Sequence, residues 1–300
     1  MRNRWLVVAV LGCPPLAQAQ TAVSTDLWRV AAGTLTEPAA LMQDGTAPFW
    51  TPVVTLPAGG ARYRFGAEAV HGPSEVGVNG GILTLTSRAG QWGTLNASYG
   101  WIGLGEIAYT ETSPEVVGGA VPVWSQQASL GLAGHLSSSL AGGVAVRYLA
   151  GRTGTLSQSQ GGVDIGLQYV GIPHLRLAIA TSFLDPSFSG NQQAAGGSAG
   201  IEYRSARFPL WGSDASVTGR YGATLLRGED LQHLLGAGLA LGPLTLDVGA
   251  VHEAVAEDAV WRSRFGVALR SGRYRVQIGR DGGVNAFGPA YRFGITVVLR

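Results

Sequence analysis

From about residue 61 to the C-terminus, apolar and polar side chains alternate with a period of two. Between residues 94 and 101 the apolar side chains occupy the odd-numbered positions, and small or polar residues occupy the even-numbered ones. Residues 163 to 169 repeat the same alternation. Successive side chains of a β-strand point to opposite faces, whereas a helix would give a period of 3.6. The pattern therefore predicts strands that have one apolar and one polar face.

The alternation predicts fourteen strands. Their expected ranges are 61–72, 79–88, 91–103, 122–136, 139–151, 161–171, 173–183, 196–207, 213–228, 230–242, 243–254, 259–271, 272–282 and 288–300. Short connections at 89–90, 137–139, 171–173, 242–243 and 271–273 alternate with longer ones at 104–121, 152–160, 184–195, 227–230, 255–258 and 283–287, and only 208–212 is long for its place. Outer-membrane barrels have short periplasmic turns and longer outside loops, so this rhythm favours a barrel.

Two architectures accommodate strands with one apolar face. A soluble β-sandwich would bury that face, whereas a membrane barrel would turn it to lipid and keep the charges in a polar lumen. Aromatic residues near strand ends favour the barrel, because they form the girdles at the membrane interfaces. These residues are Trp92, Tyr99, Trp101, Trp124, Tyr148, Tyr169, Phe183, Trp261, Tyr274 and Tyr291. The chain also ends in a segment that resembles a C-terminal barrel-assembly signal, with Gly294, Val297 and Leu299 at its positions.

The polar face carries many charged residues, which a barrel would place in its lumen. They are Arg62, Arg64, Glu68, Arg88, Arg147, Asp164, Arg176, Glu202, Arg204, Arg220, Asp247, Arg262, Arg264, Arg275 and Arg292. Arginine pairs well with carboxylates through its planar fork, so the favoured interpretation is that these residues brace the barrel and its contents. The alternative is a lumen biased towards anions, because arginines outnumber acids on this face.

Composition excludes several other classes of protein. Charged residues make up 13% of the chain, about half the soluble average, and 46 residues are glycine. The longest unbroken apolar run, residues 5–11, is far shorter than the about 20 residues of a membrane-spanning helix. The single cysteine, Cys13, excludes a disulfide scaffold, and 21 arginines against 19 acids do not indicate a nucleic-acid binder.

The first nineteen residues are predicted to be a secretory signal peptide. A basic start precedes the apolar run, and Ala17 and Ala19 supply the small residues before a cleavage site. We expect cleavage after Ala19, although lipoprotein processing at Cys13 is an alternative. Export by this signal would deliver the protein to the bacterial outer membrane.

Residues 20–60 do not alternate, and we expect them to form a hatch inside the barrel 61–300. A barrel of eight strands is filled by its own side chains, whereas fourteen leave a hole. The segment is too short for its own core, yet it carries Leu27, Trp28 and Leu41, which would be costly to leave in water. The expected hatch residues are Asp44, Gly45, Phe49, Trp50, Thr51 and Pro52, with Phe49 and Trp50 against the wall and Pro52 near the first strand.

The stretch 40–53 resembles the hatch motif of FadL-type outer-membrane transporters and, more closely, of their PorV/PorQ relatives. Thr51 and Val53 depart from that motif, and further similarity lies at 91–107 and 140–167. The resemblance implies one of two roles. One is the passage of hydrophobic molecules, with a moving hatch and an opening in the wall. The other is an adaptor that binds secreted cargo in a type IX-like secretion system.

Nothing in the sequence indicates an enzyme, a cofactor or a metal. The five histidines have no metal-ligand spacing, and glycines 236, 238 and 242 lack the spacing and the following helix of a dinucleotide site. We expect passive transport of small hydrophobic or amphipathic molecules, with the adaptor role as the alternative. The expected partners are outer-membrane lipid, the barrel-assembly machinery, and either hydrophobic small molecules or secreted proteins.

Overall fold

The computed structural model describes most of the chain from residue 27 onwards. The described residues are 27–28, 31–32, 34–56, 60–72, 77–105, 107–110, 117–184, 196–226, 231–255, 258–283 and 288–300. The predicted signal peptide and the possible lipoprotein site at Cys13 lie outside these ranges. No helix among the described residues has the length and apolar character needed to cross a membrane.

The described residues form seventeen strands. They are β1 (Tyr63–His71), β2 (Asn79–Arg88), β3 (Thr94–Gly103), β4 (Ile107–Thr110), β5 (Val117–Val121), β6 (Val123–His135), β7 (Leu140–Thr153), β8 (Leu156–Tyr169), β9 (Leu175–Ser182), β10 (Gly196–Arg204), β11 (Phe208–Leu210), β12 (Ser213–Leu226), β13 (Gln232–Leu241), β14 (Leu244–Val255), β15 (Asp258–Ser271), β16 (Tyr274–Asp281) and β17 (Ala290–Leu299). Short 3₁₀ helices span Ala39–Leu41 and Gly90–Trp92, and a short α-helix spans Ala47–Trp50.

Fourteen of these strands close into one antiparallel barrel, as predicted. Each pairs with its neighbour along the chain, except that β3 pairs with β6 and β10 pairs with β12. The barrel closes between β1 and β17, with register partners from Tyr63 and Leu299 to His71 and Tyr291. Closure gives every wall strand a neighbour on both sides, although β8 pairs with β9 only over 166–169 and 177–180 and through the bridge between Val163 and Leu184.

The three remaining strands were not predicted. β4 and β5 form a separate hairpin in the long connection between β3 and β6. β11 folds back on the start of β12 through Trp211 and Gly212, whose φ values are +50° and +76°. Left-handed residues of this kind form the tight two-residue turns of hairpins. This hairpin accounts for the connection 208–212 that was long for its place.

The long connection predicted at 152–160 is wrong. β7 continues to Thr153 and β8 begins at Leu156, so only two residues separate the strands. Gly154 adopts φ +62°, a left-handed conformation that a two-residue hairpin turn favours. Residues 157–160 are polar on both faces of the strand, so the search for alternating apolar residues did not detect it.

The two faces of the wall have the predicted orientation. Ile179 is 56% exposed on the outside, and Val276 and Ile278 are exposed with it, whereas Arg264 on the inner face is only 3% exposed. An apolar exterior around a charged interior suits a barrel whose outer surface contacts lipid.

Most of the predicted girdle residues point outwards, but one does not. Trp92, Tyr99, Trp101, Tyr148, Tyr169, Trp261 and Tyr274 are exposed, and Trp124 and Tyr291 are half-buried. Phe183 is buried instead, which corrects the prediction. Its φ of +53° breaks the alternation at the end of β9, and its N–H donates to the Asp164 carboxylate at 2.8 Å.

Candidate functional site

The lumen contains a chain segment that contacts the inner face of the wall on nearly every side. We call residues 34–56, together with residues 27, 28, 31 and 32, the inner segment. Asp44 accepts hydrogen bonds from the N–H and hydroxyl of Thr46 at 3.0 and 3.2 Å, which shapes the turn before the helix Ala47–Trp50. Pro48 in the first turn suits this helix, because the N–H groups there have no intrahelical acceptor.

A belt of glycines lines the wall where the inner segment touches it. A Cβ atom added to Gly143 would overlap the carbonyl of Pro52, and one added to Gly200 would lie 2.7 Å from the Leu41 side chain. The members of this glycine belt, each meeting the inner segment in the same way, are Gly66, Gly100, Gly143, Gly166, Gly200, Gly222, Gly266 and Gly279. They lie on eight different strands. The missing side chains create the space that the segment occupies.

The two ends of the barrel differ in their connections. We call the end with the turns 89–93, 136–139, 170–174, 242–243 and 272–273 the short-turn end, and the other the long-loop end. Towards the long-loop end, the inner segment packs in an apolar cluster. This cluster contains Leu27, Trp28, Ala31, Phe49, Val70, Val78, Ile82, Ile102, Val123, Leu149 and Phe183. The Trp28 and Phe49 rings lie 4.7 Å apart, and Trp28 donates its indole N–H to Ser125 at 3.0 Å.

A buried ionic group joins the inner segment to β1 and β17. Arg292 pairs with Glu68 and lies 3.6 Å from the Asp44 carboxylate. Arg292 also donates to the Thr46 hydroxyl at 2.7 Å, and that hydroxyl contacts Glu68 at 2.9 Å. Charges away from water need such pairing, because an uncompensated buried charge is strongly destabilising.

Three further wall arginines donate to backbone carbonyls of the inner segment. Arg64 contacts the carbonyls of residues 43, 44 and 55, Arg147 donates to the Phe49 carbonyl at 2.7 Å, and Arg264 donates to the Leu35 carbonyl at 2.9 Å. Arg147 also pairs with Asp164. These arginines therefore provide donors to carbonyls of a segment that has little regular secondary structure.

Most of the remaining lumen charges pair across the wall. Glu202 binds Arg176 at 3.0 Å, Arg204 at 3.3 Å and Arg220 at 2.9 Å. The chain of charges continues from Arg220 to Asp247 at 2.6 Å, and Arg262 pairs with Asp281. These contacts agree with the bracing interpretation.

Three predicted lumen arginines lie at the margin. Arg62 is exposed at the end of the barrel, one residue before β1, and the Arg204 side chain remains 57% exposed at the mouth despite its pairing. Arg88 is likewise exposed at the last position of β2.

The carboxyl groups of the inner segment respond differently to burial. Burial opposes ionisation of Asp44, but Arg292 and Arg275, with hydrogen bonds from Gln277 and the backbone of Thr46, hold its pKa below the usual value. For Glu37, burial dominates and raises the pKa, although Arg220 opposes the effect. Asp44 therefore stays ionised as a tie to the wall, whereas Glu37 is the more easily neutralised group.

The structure places the predicted hatch residues in the lumen, and one of their expected positions is wrong. Phe49 packs against Gly100 on the wall, Trp50 packs on Phe49 with ring centroids 5.0 Å apart, and Thr51 is fully buried. Gly45 lies against Thr296 of β17. Pro52 does not lie near the start of β1, since it contacts β7 and β8 at glycines 143 and 166. The inner segment crosses the lumen before Pro52 reaches the wall. The space left by the two glycines determines where Pro52 contacts the wall.

A cavity of about 970 Å³ opens between the inner segment and the short-turn end. Its lining is rich in arginine, with nine arginines and four carboxyl residues. The arginines are Arg64, Arg176, Arg204, Arg207, Arg220, Arg270, Arg273, Arg275 and Arg292. Among the described residues, no group of three histidine, cysteine or acidic side chains is arranged to hold a metal ion.

A closed barrel of fourteen antiparallel strands, apolar outside and charged inside, defines an outer-membrane β-barrel protein. Comparison with solved structures agrees with this class. The toluene transporter TbuX of Ralstonia pickettii is 11% identical with a TM-score of 0.52, and the match covers 85% of this chain and 94% of TbuX. The TodX deltaS2S3 mutant, a monoaromatic hydrocarbon channel, is 11% identical with the same TM-score, covering 88% of this chain and 96% of TodX.

At this identity the comparisons show the fold, which is that of FadL-type barrels. No protein-family model matches the chain, and no curated protein matches it in sequence. The predicted FadL-like barrel is therefore confirmed at the level of fold, while the PorV/PorQ branch stays a prediction.

Proposed function

We propose that the protein is a passive outer-membrane channel for small hydrophobic or amphipathic molecules, and that the inner segment is its hatch. The observation that carries this proposal is the inner segment itself. It occupies the middle of the lumen, and its contacts with the wall are hydrogen bonds, ion pairs and packing. Such contacts are reversible, so the segment can shift without breaking the barrel.

The two sides of the hatch favour amphipathic molecules over purely apolar ones. On the long-loop side, a molecule would meet aromatic and aliphatic side chains such as Trp28 and Phe183. On the short-turn side, it would meet the arginine-rich cavity. A solute with an apolar body and a polar group can interact favourably with both, whereas a hydrocarbon gains little in the cavity.

A disulfide between hatch and wall tests this proposal. A Cβ atom at Gly266 would lie 3.4 Å from the Cβ of Thr36, close to the separation that a disulfide requires. We expect oxidised Thr36→Cys/Gly266→Cys protein to lose uptake of N-phenyl-1-naphthylamine into intact cells, because the hatch can no longer move. Reduction should restore uptake, and the two single-cysteine variants are the controls.

The result that contradicts the proposal is equally definite. If the oxidised double variant takes up the dye as fast as the reduced one, the inner segment does not gate passage. Conductance in planar bilayers under the same two redox conditions gives a second readout that does not depend on cell permeability.

A cargo-binding adaptor, as the PorV/PorQ resemblance implies, is the alternative function. The observation that favours it is the β4–β5 hairpin, which forms its own two-stranded sheet at the long-loop end, apart from the wall. An exported protein could dock there without entering the lumen. Replacing residues 107–121 by a short Gly-Ser linker should then abolish co-purification of exported proteins while dye uptake remains unchanged.

The C-terminal strand supports a further part of the proposal, recognition by the barrel-assembly machinery. β17 pairs with both β1 and β16, so it is the strand on which closure depends. Gly294 packs against the Gln277 side chain, whereas Val297 and Leu299 are register partners of Phe65 and Tyr63. We expect Leu299→Asp to reduce the amount of assembled barrel in the membrane, and Gly219→Ala, on the outer face of β12, to leave it unchanged.

A further inference from the structure

The arginine-rich cavity contains a pair of like charges on adjacent strands. Arg270 on β15 and Arg275 on β16 are direct register partners, and both line the cavity. Side chains in this relation have Cβ atoms about 5 Å apart, and like charges there are destabilising. In the part of the chain that the structure describes, neither arginine has a carboxylate within ion-pair distance.

Arg275 acts on Asp44 and Glu37 from beyond ion-pair distance, and the closest contacts of the nearby acids are with other arginines. Asp44 lies 3.6 Å from Arg292, and Asp247 binds Arg220 at 2.6 Å. Even when the buried Glu68 and Glu202 are counted with the four acids of the lining, nine cavity arginines face six carboxylates. The positive charge of a nearly neutral chain is therefore concentrated here, since the whole protein has a formal net charge of only +2.

The chemistry of the pair indicates what would neutralise it. Guanidinium groups bind planar or tetrahedral oxyanions through parallel N–H donors. Two guanidiniums on adjacent strands present donors from two sides, and one doubly charged anion compensates both. A monovalent anion would leave one charge uncompensated. Arg273, in the turn between them, adds to the field while its guanidinium lies 5.0 Å from the centre of the Tyr274 ring.

We propose that Arg270 and Arg275 form a binding site for a doubly charged oxyanion of the phosphate class. The cavity has room for either inorganic phosphate or the phosphate ester of a small solute. This site goes beyond the proposed channel function, because binding of the anion does not require the hatch to move.

The test measures thermal unfolding of the full-length protein in detergent. Without phosphate, Arg270→Gln should raise the Tm by up to about 3 °C, because the like-charge contact disappears. Arg280→Gln is the matched control, since it removes the same charge from an exposed position on β16. A fall in Tm in Arg270→Gln would overturn the proposal, since it would identify this arginine as a structural brace.

Binding is then measured by calorimetry with inorganic phosphate and with glycerol 3-phosphate, each against chloride at equal ionic strength. We expect saturable binding to the wild type and to Arg280→Gln, and a loss of about tenfold or more in affinity in Arg275→Gln. Arg275→Lys, which keeps the charge but loses the fork, should bind at an intermediate level. Tighter binding of glycerol 3-phosphate would identify an ester as the ligand, and tighter inorganic phosphate would identify the free ion. Equal effects of phosphate and chloride, or unchanged affinity in Arg275→Gln, would overturn the proposal.

Discussion

The two sides of the inner segment are held by different physical forces. Towards the long-loop end, Trp28 and Phe49 pack among aliphatic side chains, and their contribution depends on the apolar surface removed from water. Towards the short-turn end, Asp44 and backbone carbonyls face arginines of the wall. Packing tolerates changes of pH and salt, whereas ionic contacts depend on the protonation state of each partner. We call the packing contacts the apolar half of this attachment and the contacts with wall arginines the ionic half. The apolar half should therefore be insensitive to pH and salt, whereas the ionic half should depend on both.

The largest expected effect comes from the ionic half. Arg292→Leu leaves Glu68 and Asp44 without their main counter-charge inside the barrel. We expect the free energy of unfolding to fall by about 3–5 kcal/mol, measured by thermal or denaturant unfolding in detergent. Arg280→Leu, on an exposed position of the neighbouring strand, is the control. Equal stability of the two variants would mean that the buried ion pairs do not hold the segment.

The glycine belt provides the next test, which acts on both halves. In Gly222→Ala the added methyl group would lie 2.6 Å from two carbons of the Pro38 ring, so either the segment or the wall must move. We expect a loss of about 1–3 kcal/mol in stability, the typical consequence of overpacking. Gly219→Ala on the same strand meets no atom within 4 Å and should have little effect. If both variants unfold alike, the belt does not position the inner segment.

The pH dependence of stability distinguishes the ionic contacts of Asp44 from the apolar contacts of the inner segment. Its pKa is held below the ordinary value of 3.8, so its ionised form contributes stability at pH values above 3.8. That contribution is lost as the pH falls below 3.8 and through the depressed pKa of the folded state. We expect the wild-type Tm to fall with pH in this acidic range and the Asp44→Asn Tm to depend on pH less. Parallel curves for the two proteins would contradict the assignment.

The smallest expected effect lies in the apolar half. Trp28→Phe keeps most of the packing against Phe49 but removes the hydrogen bond to Ser125. We expect a loss of about 1 kcal/mol, with the same value at neutral and acidic pH, because no charge is involved. Pairing it with Ser125→Ala in a double-mutant cycle isolates the hydrogen bond from the change in packing. A loss that grows with acidity would show that the two halves are coupled.

Most of the wall could be predicted from the sequence, because each strand repeats a two-residue rule that needs no information from elsewhere. Local exceptions were missed where a backbone conformation overrides that rule. Gly154 converts an expected loop into a hairpin, and the positive φ of Phe183 turns an expected girdle residue inwards.

The interior was harder to predict, since it depends on contacts between distant residues. Charged positions on the inner face were identifiable, but the arginines that donate to Phe49 and Leu35 carbonyls act over separations of 98 and 229 residues. The inward-facing glycines of the belt are visible in the sequence. Their role can be recognised only when the position of the inner segment against them is known. The like-charge pair Arg270 and Arg275 required the register of β15 and β16.

The glycine belt also constrains how such a barrel can change over time. The free cross-section of the lumen is set by side chains that are missing as much as by the number of strands. A larger residue at Gly143 or Gly200 would narrow the barrel where residues 41 and 52 now lie. It could be accepted only with a matching reduction in the segment opposite. Wall and segment should therefore vary together among related barrels, and a segment transplanted from another barrel should fit only when the belt is transplanted with it.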